Sequence, residues 1–91
     1  MDEIVFSLMR FMRDNMGESG PSILLEEINF LGLENKSAFS DDEKGRIVDR
    51  LMDAFSGLSL SRQTMMRSQL MSLAQLSNKT SSGIYERDMN L

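Results

Sequence analysis

Apolar residues return every three or four positions along most of this chain, the spacing of helices with one buried face. The first such run holds Ile4, Val5, Leu8, Phe11, Met12 and Met16. At about 100° per residue these side chains cover one half of a cylinder. Asp2, Glu3, Ser7, Arg10, Arg13 and Asp14 cover the other half. The pattern predicts a helix over about residues 2–15, stopped by Gly17. Acids in its first turn and an arginine in its last complement the helix dipole. Phe6 breaks the pattern, since it falls in the middle of the polar half.

A turn over residues 17–22 leads to a second run, with Pro21 suited to the first helical position. Ile23, Leu24, Leu25, Ile28, Phe30 and Leu31 leave only Glu26, Glu27 and Asn29 for water, and Gly32 follows. A helix over 21–31 that is apolar nearly all round reads as a central one. Residues 33–39 read as a linker. Ser40-Asp41-Asp42-Glu43 then has the form of a capping box. The third helix is expected over 41–56, with Gly57 in the left-handed position after its end. Its buried face is Ile47, Val48, Leu51, Met52, Ala54 and Phe55. The fourth is expected over 61–76, with Ser61 as cap and Leu60 stapled to Met65. Its apolar positions are Met65, Met66, Leu70, Leu73, Ala74 and Leu76.

These elements predict an all-α fold, a small four-helix bundle or irregular four-helix array, as one domain over 1–76. Short linkers favour antiparallel neighbours. Leu24, Ile28, Leu51, Phe55, Leu70 and Leu73 are expected to meet in its core. From Ser77 the composition turns to Ser, Asn, Lys, Thr and Gly, so 77–91 reads as a flexible tail. Ile84, Tyr85, Met89 and Leu91 offer the alternative that it docks on the bundle or on a partner.

Composition removes several chemistries. The chain has neither cysteine nor histidine. Disulfide frameworks, the usual zinc sites and Ser-His or Cys-His nucleophiles are therefore excluded. The acids after Ser40 fail the calcium-loop pattern, because Lys44 and Leu51 stand where ligands belong. No spacing suggests a carboxylate of shifted pKa for acid–base work. No enzyme activity, cofactor, metal or small-molecule substrate is expected. The acidic start and the lack of a long apolar run point to a cytoplasmic chain without membrane contact. Nine methionines in 91 residues allow two uses, an adaptable core or a plastic contact surface.

Charge divides the chain unevenly. Residues 1–53 carry twelve acids and six bases, whereas 54–85 carry Arg62, Arg67, Lys79 and no acid. The stretch from Phe55 to Leu70 resembles a helix-turn-helix with a longer turn. Arg62, Gln63, Thr64, Arg67 and Lys79 would then meet nucleic acid, making the chain a small DNA-associated transcriptional regulator. The favoured expectation uses the same helix differently. Thr64, Ser68, Met71, Ser72 and Gln75 form an outward side without charge, as protein interfaces do. Phe6, with Met9, Arg10 and Arg13, has the composition of an interface centre. The chain is thus expected to be a non-enzymatic adaptor or regulator that binds a protein partner, most simply itself as a homodimer.

Overall fold

The computed structural model describes residues 1–76. They form α1 (Ile4–Met16), α2 (Gly20–Phe30), α3 (Asp41–Met52) and α4 (Leu60–Leu73). Two 3-10 turns, Gly17–Ser19 and Asp53–Phe55, join them. The fold is all-helical, with no strand among the described residues. The helices pack in a ring, α1 on α2, α2 on α3, α3 on α4 and α4 on α1, around one shared core.

The first face is buried as its spacing predicts: Ile4, Val5, Leu8, Phe11 and Met12 lie in the core. The helix starts two residues later than its pattern predicts, so Asp2 and Glu3 precede its first turn instead of lying in it. Asp2 Oδ1 accepts from the Ile4 amide at 3.1 Å, and its Oδ2 accepts from the Phe39 amide at 2.8 Å. One carboxylate thus satisfies an orphan amide of α1 and ties down the end of the α2–α3 linker.

The corner between α1 and α2 depends on two glycines. Gly17 has φ 78° and ψ −159°, a region that side chains all but forbid. Gly20 opens α2, one position before Pro21, and lies against the backbone of α1 at Met12 and Arg13. This close approach brings α2 onto α1 along one side only.

α2 is therefore not the central helix that its composition predicts. Leu24 and Ile28 are buried, Ile23 and Leu31 half-buried, while Leu25 is exposed and Phe30 is 69% exposed. A chain this short builds one modest core and cannot cover a helix on every side. Arg50 uses what is left over. Its guanidinium bonds Glu27 at 2.6 Å and stacks 4.2 Å from the Phe30 ring centre. The exposed ring serves as a cation platform that docks α3 on α2.

Helix ends extend the core into segments that read as linker. After α2, Gly32 (φ 75°) donates its amide to Asn29, and Leu33 donates to Ile28, both at 3.0 Å. In this Schellman motif the residue after the glycine folds back onto the last turn, so Leu33 is buried. Phe39, fixed by Asp2, is buried too. The same motif ends α4, with Gln75 in the left-handed position (φ 58°) and Leu76 donating to Met71 at 2.9 Å.

The capping box of α3 is present. Ser40 Oγ accepts from the Glu43 amide at 3.1 Å, and Glu43 Oε1 accepts from the Ser40 amide at 2.8 Å. The end of α3 differs from expectation. It closes at Met52 and tightens into the Asp53–Phe55 turn, which directs Phe55 inward and leaves Ala54 exposed. Leu58 then donates to the Phe55 carbonyl at 3.0 Å, and Gly57 has no left-handed conformation to supply. α4 begins two residues early. Its cap is Ser59, not Ser61, with Ser59 Oγ accepting from the Arg62 amide at 3.3 Å. The shift undoes the Leu60–Met65 staple, and those side chains are 80% and 58% exposed. Met66 and Leu70 are the buried positions of α4, Ala74 is buried just past its end, and Leu73 is half-buried. Most methionines serve the core. Met12, Met52 and Met66 are buried, and Met9, Met16 and Met71 pack partly against it.

Two carboxylates couple this fold to pH. Asp2 is held below the ordinary carboxylate range, first by the Phe39 amide and then by that of Ile4. Glu43 is lowered by Lys36, which bonds it at 2.7 Å, and by the Ser40 amide. A carboxyl that is more acidic when folded stabilises the fold above its ordinary pKa. That contribution disappears as the pH falls through the lowered folded value. Stability should accordingly decline below about pH 4. Asp2→Asn should be less stable near neutral pH and show a shallower acid decline. Urea midpoints at about pH 7 and about pH 3 test this; equal acid slopes in both proteins would contradict it.

Candidate functional site: the seam between α1 and α4

The ring of helices closes unevenly, and three shallow grooves lie along or beside the α1–α4 seam. One of about 330 Å³ is lined by Phe6, Ser7, Arg10, Phe11, Asp14 and Leu73. One of about 240 Å³ shares Phe11 and Leu73 and adds Gln69 and Ser72. The third, of about 250 Å³, lies between Asn15 and Met16 on one side and Arg62 and Met66 on the other. The start of α1 thus faces the end of α4, and the end of α1 faces its start. The two helices run antiparallel. Phe11 and Phe55, edge to face with ring centres 6.2 Å apart, support the floor.

The rims differ in character. On α1, Phe6, Arg10 and Arg13 recur at i, i+4 and i+7 and form one exposed stripe. Phe6 is 72% exposed at the groove mouth. On α4, Met65, Gln69 and Ser72 recur with the same spacing and carry no charge. Arg10, Arg13 and Arg62 form no ion pair among the described residues. By contrast Lys36, Arg46, Arg50 and Arg67 are each paired with an acid. Arg10 shares its groove with Asp14, so the rim of the seam carries charge of both signs.

The residues expected to form an interface divide between faces. Phe6, Arg10 and Ser72 line the grooves of the seam, and Arg13 continues the α1 stripe. Ser68 and Gln75 are exposed. Thr64 lies away from the seam, in a depression with Asp49, Leu60 and Arg67. Met9 is half-buried at the edge of the apolar face, where its spacing puts it, whereas Met71 is half-buried against the core and is not the outward residue its spacing suggests. Phe11 and Leu73 read as ordinary core positions in the sequence but form the groove floor. Gln69 and Met65 complete an uncharged i, i+4, i+7 row with Ser72, a spacing that the sequence carries.

The residues of the helix-turn-helix reading have local work. Gln63 Nε2 donates to the Leu58 carbonyl at 2.8 Å and to Ser56 at 3.2 Å, holding the turn before α4. Arg67 bonds Asp49 at 2.7 Å. Arg62 lines a groove and Thr64 is exposed, while Lys79 lies outside the described residues. Among the described residues no carboxylates gather in a group suited to a metal ion, and no helix is long and apolar enough to cross a membrane. No family model, curated protein or solved structure matches this chain.

Proposed function

We propose that this chain is a four-helix array acting as a non-enzymatic interaction module, an adaptor or regulator that associates with a second copy of itself through the α1–α4 seam. The observation that carries this reading is Phe6, an exposed aromatic beside a groove with Phe11 and Leu73 in its lining. Fully burying one Phe side chain recovers roughly 1.5–3 kcal/mol. Aromatic residues with arginine and methionine around them mark interface centres. The uncharged Met65–Gln69–Ser72 stripe adds a helix face that a second helix can approach without desolvating charge. Two copies related by a two-fold axis would each offer Phe6 to the other's groove. The helix-turn-helix reading has less support, because Gln63 and Arg67 are engaged within the chain.

Light scattering across a concentration series tests the proposal. The wild-type chain should approach twice its monomer mass, and Phe6→Ser should remain a monomer. Its folding stability should change by less than about 1 kcal/mol, as for an exposed position. A monomeric wild type would sink the self-association reading. A loss of several kcal/mol in Phe6→Ser would place Phe6 in the core instead. A nucleic-acid role would appear as binding that weakens steeply with salt.

A further inference from the structure

We infer that Met65 is an oxidation site through which a peroxide separates the two copies. The inference rests on the reading of the α1–α4 seam as the contact surface, and it adds a covalent control of that surface. Burial sorts the methionines. Met12, Met52 and Met66 lie in the core, and Met9, Met16 and Met71 pack partly against it. Met65 is the most exposed methionine among the described residues, while Met66, next in the chain, is buried. Its position gives that exposure a consequence. Met65 stands one helical turn before Gln69, which lines the groove with Phe11 and Leu73. Arg62, nearly one turn before Met65, lines the groove at the other end of the seam. Met65 therefore sits on the rim between the two grooves, in a row with Gln69 and Ser72 that carries no charge. The chemistry needs only hydrogen peroxide. A lone pair of the Met65 sulfur attacks one peroxide oxygen. An S–O bond forms as the O–O bond breaks, and the sulfur gives up two electrons. The released hydroxide takes the proton of the new S–OH group and leaves as water. The sulfoxide that remains is polar and chiral. A second helix can lie against it only by stripping its water, so the apolar contact of the thioether is lost. Association in turn shields Met65, so the oxidant acts on the separated chain and traps it in that state. Sulfoxide reductases restore the thioether, which makes the change reversible.

Titration of the full-length chain with hydrogen peroxide, each methionine being followed by peptide mass mapping, tests this. Met65 should gain oxygen before the other methionines of residues 1–76. The light-scattering mass should fall toward that of a monomer in step with it, at unchanged helicity by circular dichroism, and sulfoxide reductase should reverse both. Well above the association midpoint the monomer fraction falls as the square root of concentration. A roughly hundredfold rise in chain concentration should therefore slow Met65 oxidation about tenfold. A methionine that is merely exposed would show no such dependence. Met65→Leu keeps the apolar volume and should stay dimeric in peroxide, whereas Met65→Gln should be monomeric without it. A dimer that survives complete oxidation of Met65 would overturn the inference and leave self-association standing. So would an oxidation rate independent of concentration in a chain that dimerises. Dissociation of Met65→Leu by peroxide would assign the effect to another methionine and overturn it as well. A wild type that is monomeric at every concentration would instead overturn both the inference and the self-association on which it rests.

Discussion

Gly20→Ala should be among the most damaging single changes in this chain. Helix propensity alone argues the opposite, since alanine is favoured over glycine by about 1 kcal/mol inside a helix. Gly20 has ordinary helical angles, φ −57° and ψ −51°, so no backbone strain intervenes. Space decides the sign. A Cβ at this position would penetrate the Met12 carbonyl and press on the Arg13 amide nitrogen. Both are backbone atoms of α1, so no side chain can rotate away. Relief requires α2 to move off α1, which loosens Leu24 and Ile28 against Leu8 and Met12. Overpacking of this kind costs about 3 kcal/mol. The loss outweighs the gain, and the urea midpoint should fall by a corresponding amount. Gly45 in α3 is the control. Open space surrounds its missing Cβ, so Gly45→Ala should raise the midpoint slightly. If both variants shifted upward, the close approach of the two helices would be wrong.

Phe55→Ala should cost roughly 3–5 kcal/mol. For a chain of this size that is a large share of a total of roughly 5–10 kcal/mol. Phe55 is buried at the end of the 3-10 turn, and its ring meets Phe11 edge to face at 80°. Its removal therefore deletes core volume and leaves Phe11, the floor of the seam, without support. Two measurements should move together: a lower denaturant midpoint at unchanged slope, and weaker self-association. Phe55→Leu keeps most of the volume and should lose less than about 1.5 kcal/mol. A loss below about 1 kcal/mol in the alanine variant would mean that the turn adjusts to fill the space.

What was legible in the sequence was what local rules determine. The face of α1 follows from a 3.6-residue period over 13 residues with little to compete against it. The Ser40–Glu43 box is a short-range bargain between two side chains and two amides, complete without the rest of the molecule. The misreadings arise where two local signals compete or where a distant contact decides. Ser59 and Ser61 are equally good caps by composition. The hydrogen bonds of Gln63 to the turn accompany the choice of the earlier one. The excess of apolar side chains on α2 suggests a centre, yet position in the ring is set by the glycine contact at Met12. Leu33 and Phe39 enter the core through a Schellman turn and a carboxylate 37 residues away, neither of which has a periodic signature. The seam is hardest to read. Its floor is drawn from positions that any helical wheel assigns to the core, and only the antiparallel placement of α1 and α4 leaves them open.

The linker pinned at both ends also shows where this chain tolerates lengthening. Leu33 is fixed by its bond to Ile28, and Phe39 by Asp2, while between them Lys36 reaches Glu43 at the start of α3. Glu34, Asn35 and Ser37 are exposed. Extra residues placed there would leave both anchors and the register of α2 and α3 intact. Their cost is the entropy of a longer loop, about 0.6 kcal/mol for each doubling. A single residue added on the other side of either anchor would shift the buried pattern by about 100° and expose the core. Variation in length among descendants of this sequence should therefore collect between the anchors, where the chain can grow without being repacked.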